Sequence, residues 1–219
     1  MFFVALDSND KAVKRMHSFV SVMPGEMVGC VGCHENRTEV SARPQRVISA
    51  LTRPADTIAP LAGIPAVYDY RRNIQPVLDS HCVACHSNTT RSGGVVLNDD
   101  LGPWFNASYV TMVSRKLVSP SSDATGYKRG GNSAPRSVGA NASPVFTLMR
   151  EGHQGVALSD HELDLVRYWI EAGATYAGAY AGLNTLDGWR YPVNHDVMKR
   201  RCYDCHLDWY FKYWGGPRK

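Results

Sequence analysis

All six cysteines of this 219-residue chain fall in one repeated pattern. Cys30-Val31-Gly32-Cys33-His34, Cys82-Val83-Ala84-Cys85-His86 and Cys202-Tyr203-Asp204-Cys205-His206 each put two thiols on one turn with an imidazole directly after them. C-x-x-C-H is the attachment signature of a c-type haem. The two thiols reach the two vinyl groups of one porphyrin, and the histidine that follows becomes the proximal ligand of the iron. Disulfides, or a zinc site built from two C-x-x-C pairs, would use the same cysteines. Neither needs a histidine after every second cysteine. The expected cofactors are therefore three covalently bound haem c groups, with His34, His86 and His206 as proximal ligands.

Five further histidines, His17, His81, His153, His161 and His195, stand available for the three distal positions. His153 lies in Arg150-Glu151-Gly152-His153-Gln154-Gly155, just ahead of a strong helix start, where a class I cytochrome c carries its distal methionine. A histidine there lowers the potential relative to a His/Met pair. Met149 is the competing ligand. His81 adjoins Cys82 and is a candidate for the iron of a neighbouring haem, one or three. His195 is a candidate for haem three or for a haem across a contact, and His17 for haem one. His161, in a first helical turn, reads as a solvated surface residue. The pairing of these histidines with the three irons is left open.

The elements that must position these groups can be read in part. Residues 2–6 and 17–23 are apolar or β-prone around Asp7-Ser8-Asn9-Asp10, which predicts an N-terminal β-hairpin or a pair of edge strands closed by Pro24-Gly25. Prolines at 44, 54, 60 and 65 make residues 41–65 an extended connector. Ile74-Gln75-Pro76-Val77-Leu78 predicts a short helix with proline in its first turn, running into Cys82. Ser159 and Glu162 form a capping box, and Gly173 supplies a stop, so the best helix lies between them. Its stripe of Leu163, Val166 and Ile170, with Leu165 and Trp169 beside it, is expected to pack on haem and core. Residues 119–144, rich in Ser, Gly, Asn and Pro, read as loop. The fold class expected is mainly α with much irregular loop, a small β-hairpin and one class I-like cytochrome c domain.

Three units follow: 1–65 with the first haem motif, 66–182 as the cytochrome c-like domain with the second, and 183–219 with the third. Moving the third motif back by 120 residues places Val197-Met198 on Val77-Leu78, an internal echo. The tail Asp208-Trp209-Tyr210-Phe211-Lys212-Tyr213-Trp214 reads either as a lid over haem three or as an intermolecular strand. At about 73 residues per haem, porphyrins are expected to supply much of the buried apolar surface. The formal charge of +4 is offset by haem propionates, and no Lys/Arg run gives a nucleic-acid footprint. No apolar run reaches the length of a membrane span. Haem c is attached outside the cytoplasm, so an extracytoplasmic location is expected. Met1-Phe2-Phe3-Val4-Ala5-Leu6 is too short for an export signal, which points to processing or to a longer protein.

Ser18-Phe19-Val20-Ser21-Val22-Met23-Pro24-Gly25-Glu26, with Gly29 to Glu35, resembles the C-terminal region of proteins related to the hydrazine synthase alpha subunit. So do Ile74 to Leu78 before His81-Cys82, and Pro135-Arg136-Ser137-Val138-Gly139-Ala140. The block from Gly152-His153 to Trp169-Ile170-Glu171-Ala172-Gly173-Ala174 is similar to the planctomycete-type cytochrome c domain. Together the likeness spans roughly residues 1–182. It implies an electron-transfer haem, and in the family's enzymes a catalytic haem as well. Small multihaem chains with strand-forming ends also resemble, more loosely, subunits of extracellular cytochrome filaments.

Three functions compete. The first is electron transfer through bis-histidine haems to redox proteins or extracellular acceptors, with homo-oligomers or filaments formed through the strand-like ends. The second is a redox-enzyme fragment with an open haem at Cys30–His34. The third is a haem-stiffened docking module.

Overall fold

The structure, a computed structural model, describes residues 2–17, 21–26, 38, 52–54, 56–57, 59–101, 105–120 and 134–177. The first motif (Cys30–His34), the third (Cys202–His206), His195, the aromatic tail and the side chain of His17 lie outside the described residues.

The chain opens with a hairpin of β1 (Phe2–Leu6) and β2 (Ala12–His17), antiparallel, with Phe2 opposite His17 and Leu6 opposite Ala12. Asp7 sets the turn: its Oδ1 accepts the backbone N–H of Asn9 (2.9 Å) and of Lys11 (3.1 Å). Asp10 turns left-handed at φ 53°, a conformation that Asp tolerates better than most residues. This tight turn returns the chain by Ala12, so the second strand runs over 12–17 and not over the 17–23 expected from β-propensity.

The helical unit begins with a π-helical turn at Tyr70–Ile74, capped by the Asp69 carboxylate, which accepts the N–H of Arg72. The N–H of Gln75 reaches back to Tyr70 O, and Pro76, which has no N–H, follows it. That is how a proline is accommodated at the start of α1 (Gln75–His81). Helix α2 (Ala107–Ser114) is capped by the Asn106 side chain, which accepts from the N–H of Tyr109. Helix α3 (Pro144–Glu151) starts on a proline and stops at Gly152, φ 84°. Helix α4 (Asp160–Glu171) carries the complete capping box of Ser159 and Glu162 and stops at Gly173, φ 105°. Helix α3 falls partly in, and the 3-10 turn Ala140–Ala142 wholly in, the stretch expected to be loop.

Tyr70, Ile74, Leu78, Val166, Trp169 and Ile170 are almost fully buried in one cluster. Tyr70 packs edge-on to Tyr109 with ring centres 5.1 Å apart, and against Trp169 at 5.3 Å. Each of these large side chains contributes about 1.5–3 kcal/mol by leaving water. Several of the polar groups among them are paired. The buried Gln75 donates to Leu97 O (3.0 Å) and accepts from Asn106 (3.0 Å), and Tyr70 OH donates to Ser108 Oγ (2.9 Å).

The hairpin docks on this unit through Glu171. One carboxylate oxygen accepts the backbone N–H of Ala12 (3.0 Å) and of Ala140 (2.8 Å). The other lies 3.5 Å from the Arg15 guanidinium, and both side chains are buried. Arg15 also donates to the backbone carbonyl of Glu171. Gly139 (φ 76°) is the floor of this pocket: a Cβ there would lie 2.7 Å from Glu171 Oε1 and 2.8 Å from Ala12 Cβ. Arg136 N–H to Val13 O (2.8 Å) and Tyr168 OH to Asp10 (2.8 Å) complete the seam.

The class I cytochrome c assignment for residues 66–182 is overturned. The described chain is four short helices and a two-stranded sheet. The α4 stripe expected to pack on haem closes on Tyr70, Ile74, Leu78 and their neighbours. Among the described residues no group of three or more His, Cys, Asp or Glu side chains gathers as a centre that could hold a metal ion. The unit therefore has a core of its own, where porphyrins are expected from the sequence to supply much of the buried apolar surface.

Candidate haem-binding site

The second motif grows directly out of α1. The N–H of Cys82 bonds to Leu78 O (2.8 Å), and those of Cys85 (3.2 Å) and His86 (2.9 Å) return to Cys82 O. This extra turn places both thiols and the imidazole on one short, hydrogen-bonded stretch. Cys82 is half-buried and Cys85 exposed, and both are free thiols. Burial, with the neighbouring Cys85 adding to it, pushes the Cys82 thiol up to about 11.

His86 is oriented by the loop that follows. Its Nδ1 lies 3.0 Å from Ser92 O. A carbonyl only accepts, so Nδ1 carries the proton and Nε2 keeps the lone pair that a metal needs. The loop is tied back by Ser92 N–H to Cys85 O (3.0 Å) and turns through left-handed Arg91 (φ 53°).

His153 arrives from the other side of the sequence. Gly152 ends α3, and Gln154 (φ 53°) and Gly155 (φ 79°) make a two-residue turn in which Val156 N–H bonds back to His153 O at 3.0 Å. Successive left-handed residues are what such a tight reversal requires. The turn brings the ring of His153 to 6.1 Å from that of His86, centre to centre, with 18° between the planes. A metal held by two imidazole nitrogens at about 2 Å each, with each ring centre about 1 Å further back, separates the centres by about 6 Å. If a haem c were bound here, Cys82 and Cys85 would tether it, and His86, its tautomer fixed, and the nearby His153 would be the imidazoles available to its iron. His153 and Cys85 are exposed, so this site lies at the margin of the helical unit and not inside its core.

A family model, that of the hydrazine synthase alpha subunit middle domain, matches residues 1–35. The match ends just past the first motif. It is described as a middle domain, where the residues suggested a C-terminal region, and it covers far less than the 1–182 of that likeness. No curated protein and no solved structure matches the chain.

The other expected ligands fare differently. Met149, the competing candidate, is buried in the core cluster. His81 is engaged: its Nε2 lies 2.8 Å from Glu162 Oε1. The same carboxylate uses its other oxygen to accept from Ser159 N–H (2.8 Å) and Ser159 Oγ–H (2.7 Å). Those bonds to Ser159, and then the one to His81, hold the Glu162 carboxyl down to about 2 from an ordinary 4.5. His161 is exposed, with its ring edge over Gly63. His17, His34, His195 and His206, with Cys30, Cys33, Cys202 and Cys205, have side chains outside the described residues. The His81–Glu162 contact and the Glu171 cradle were missed in the sequence. The only local sign of the first is that the acid of the capping box is a Glu with two oxygens to share. Among the described residues no helix is long and apolar enough to cross a membrane.

Proposed function

We propose that the chain is a c-type cytochrome that carries electrons through three haems, tethered at Cys30/Cys33, Cys82/Cys85 and Cys202/Cys205. What supports this reading is that two imidazoles, His86 and His153, lie with ring centres 6.1 Å apart beside Cys82 and Cys85. Haem c, when bound, supplies one-electron exchange at its iron. The protein's own part is to fix two nitrogen ligands, which closes the site to substrates, and to leave its margin exposed toward a redox partner. His34 and His206 are the proximal ligands of the other two haems, and attachment places the protein outside the cytoplasm. Assembly of copies into a filament, with haems meeting across the contact, is the corresponding proposal for the whole particle.

A second reading is favoured by one finding, the match of residues 1–35 to the hydrazine synthase alpha subunit model. The matched segment contains Cys30–His34, so haem one is the place for an open, substrate-binding iron in a redox enzyme. The ferric spectrum with and without cyanide separates the two. An all-low-spin protein inert to cyanide supports the relay. A high-spin fraction equal to one haem, titrated by cyanide, supports the enzyme.

A further inference from the structure

The two imidazoles of the second site are carried by segments 67 residues apart in sequence, since His86 follows α1 and His153 precedes α4. Something must hold these segments in register. His81, the last residue of α1, lies five residues before His86, and the backbone between them is bonded without a break from Leu78 O to Cys82 to His86. Glu162, in the first turn of α4, lies nine residues after His153, past a turn closed by Val156 N–H to His153 O. His81 Nε2 and Glu162 Oε1 meet at 2.8 Å, with both side chains about a quarter exposed (26%).

We propose that the His81–Glu162 hydrogen bond is a clasp that holds the His86 and His153 imidazoles at their iron-spanning separation. His81 and Glu162 are then positioning residues of haem two. This rests on the reading of His86 and His153 as its axial pair. The division of labour within Glu162 fits the role: Oε2 serves the helix start through Ser159, and Oε1 serves the clasp. With its Nε2 engaged by Glu162, His81 is assigned here to positioning the haem beside it.

The test uses the full holoprotein and compares His81→Phe, His81→Gln and Glu162→Gln with the parent in cyanide association and low-temperature electron paramagnetic resonance. Gln at 81 keeps a donor for Glu162, and Gln at 162 keeps the capping box, so a helix that merely needs its cap is unaffected by the latter. A hydrogen bond to a charged group is worth enough to raise opening of the distal site about tenfold when lost. We expect His81→Phe and Glu162→Gln to bind cyanide at one haem about tenfold faster and to shift one low-spin signal, with His81→Gln near the parent. Parent-like rates and signals in both His81→Phe and Glu162→Gln overturn the clasp, as do equal effects in His81→Phe and His81→Gln. His153→Ala run alongside tests the underlying pair separately. If it leaves every haem low-spin and inert, the axial assignment fails whatever the clasp variants do.

Discussion

At the scale of single residues, the chemistry reduces to which side chains are free to bind a metal. His86 is, because its Nδ1–H donates to Ser92 O and leaves the Nε2 lone pair bare. His153 is, because Gly152 and Gly155 let the chain present it on a tight turn opposite His86. Met149 is not, since it is buried among core side chains. His153→Ala is therefore expected to convert one of three haems to a high-spin form seen in the ferric spectrum, with little loss of stability because the residue is exposed. Met149→Ala should do the reverse, costing about 2–5 kcal/mol in thermal or denaturant unfolding and leaving the ligand spectrum alone. Glu162 gives a pH prediction. Its folded-state value lies below its ordinary 4.5, at about 2, so its stabilisation is complete above pH 4.5 and is lost as pH falls toward 2. Acid titration followed by circular dichroism should show that loss in the parent and a flatter response over the same range in Glu162→Gln.

At the scale of elements, local signals and long-range ones separate cleanly. The capping box and Gly173 stop of α4 and the proline start of α1 were legible because the groups that make them are neighbours in sequence. Helix α2 was not: Tyr109-Val110-Thr111-Met112-Val113 is β-prone, and its helicity comes from the Asn106 cap and the burial of Met112. The placement of β2 escaped prediction because the Asp7 carboxylate, not β-propensity, decides where the hairpin turns. The α4 stripe was expected to pack on haem and core; Val166, Trp169 and Ile170 are buried in the protein core with Leu163 and Leu165 partly buried against it, and an amphipathic pattern says which face is covered and not by what. Least legible was Glu171, which joins Ala140 to Ala12 and Arg15, the last two across more than 150 residues of sequence. Leaving the buried Arg15 without its carboxylate should cost about 3–5 kcal/mol, so Glu171→Ala is expected to release the hairpin and lower the midpoint of thermal unfolding. Gly139→Ala should act in the same direction, because its Cβ would press on Glu171 and Ala12. Enhanced hydrogen exchange confined first to residues 2–17 would identify the hairpin as what is lost.

At the scale of the molecule, the helical unit stands on its own aromatic and aliphatic core, with the second haem motif on its margin and the family-matched hairpin clasped to α4. A core of this kind means that the unit should keep helical structure when the haem-binding cysteines are removed. A Cys82→Ala/Cys85→Ala variant is expected to retain the far-ultraviolet circular dichroism of the four helices, and collapse of that signal would instead make haem the organiser of the fold. On the proposed reading, a haem at this exposed margin held by two imidazoles would suit electron exchange at a surface better than catalysis in a pocket. The most direct measurement is intact and peptide mass of the purified protein, with the haem-bearing peptides identified. The account predicts a gain of three haems and one haem on the peptide that carries Cys82, Cys85 and His86. A protein whose Cys82 and Cys85 emerge as unmodified thiols, or as ligands of a removable metal, would contradict it.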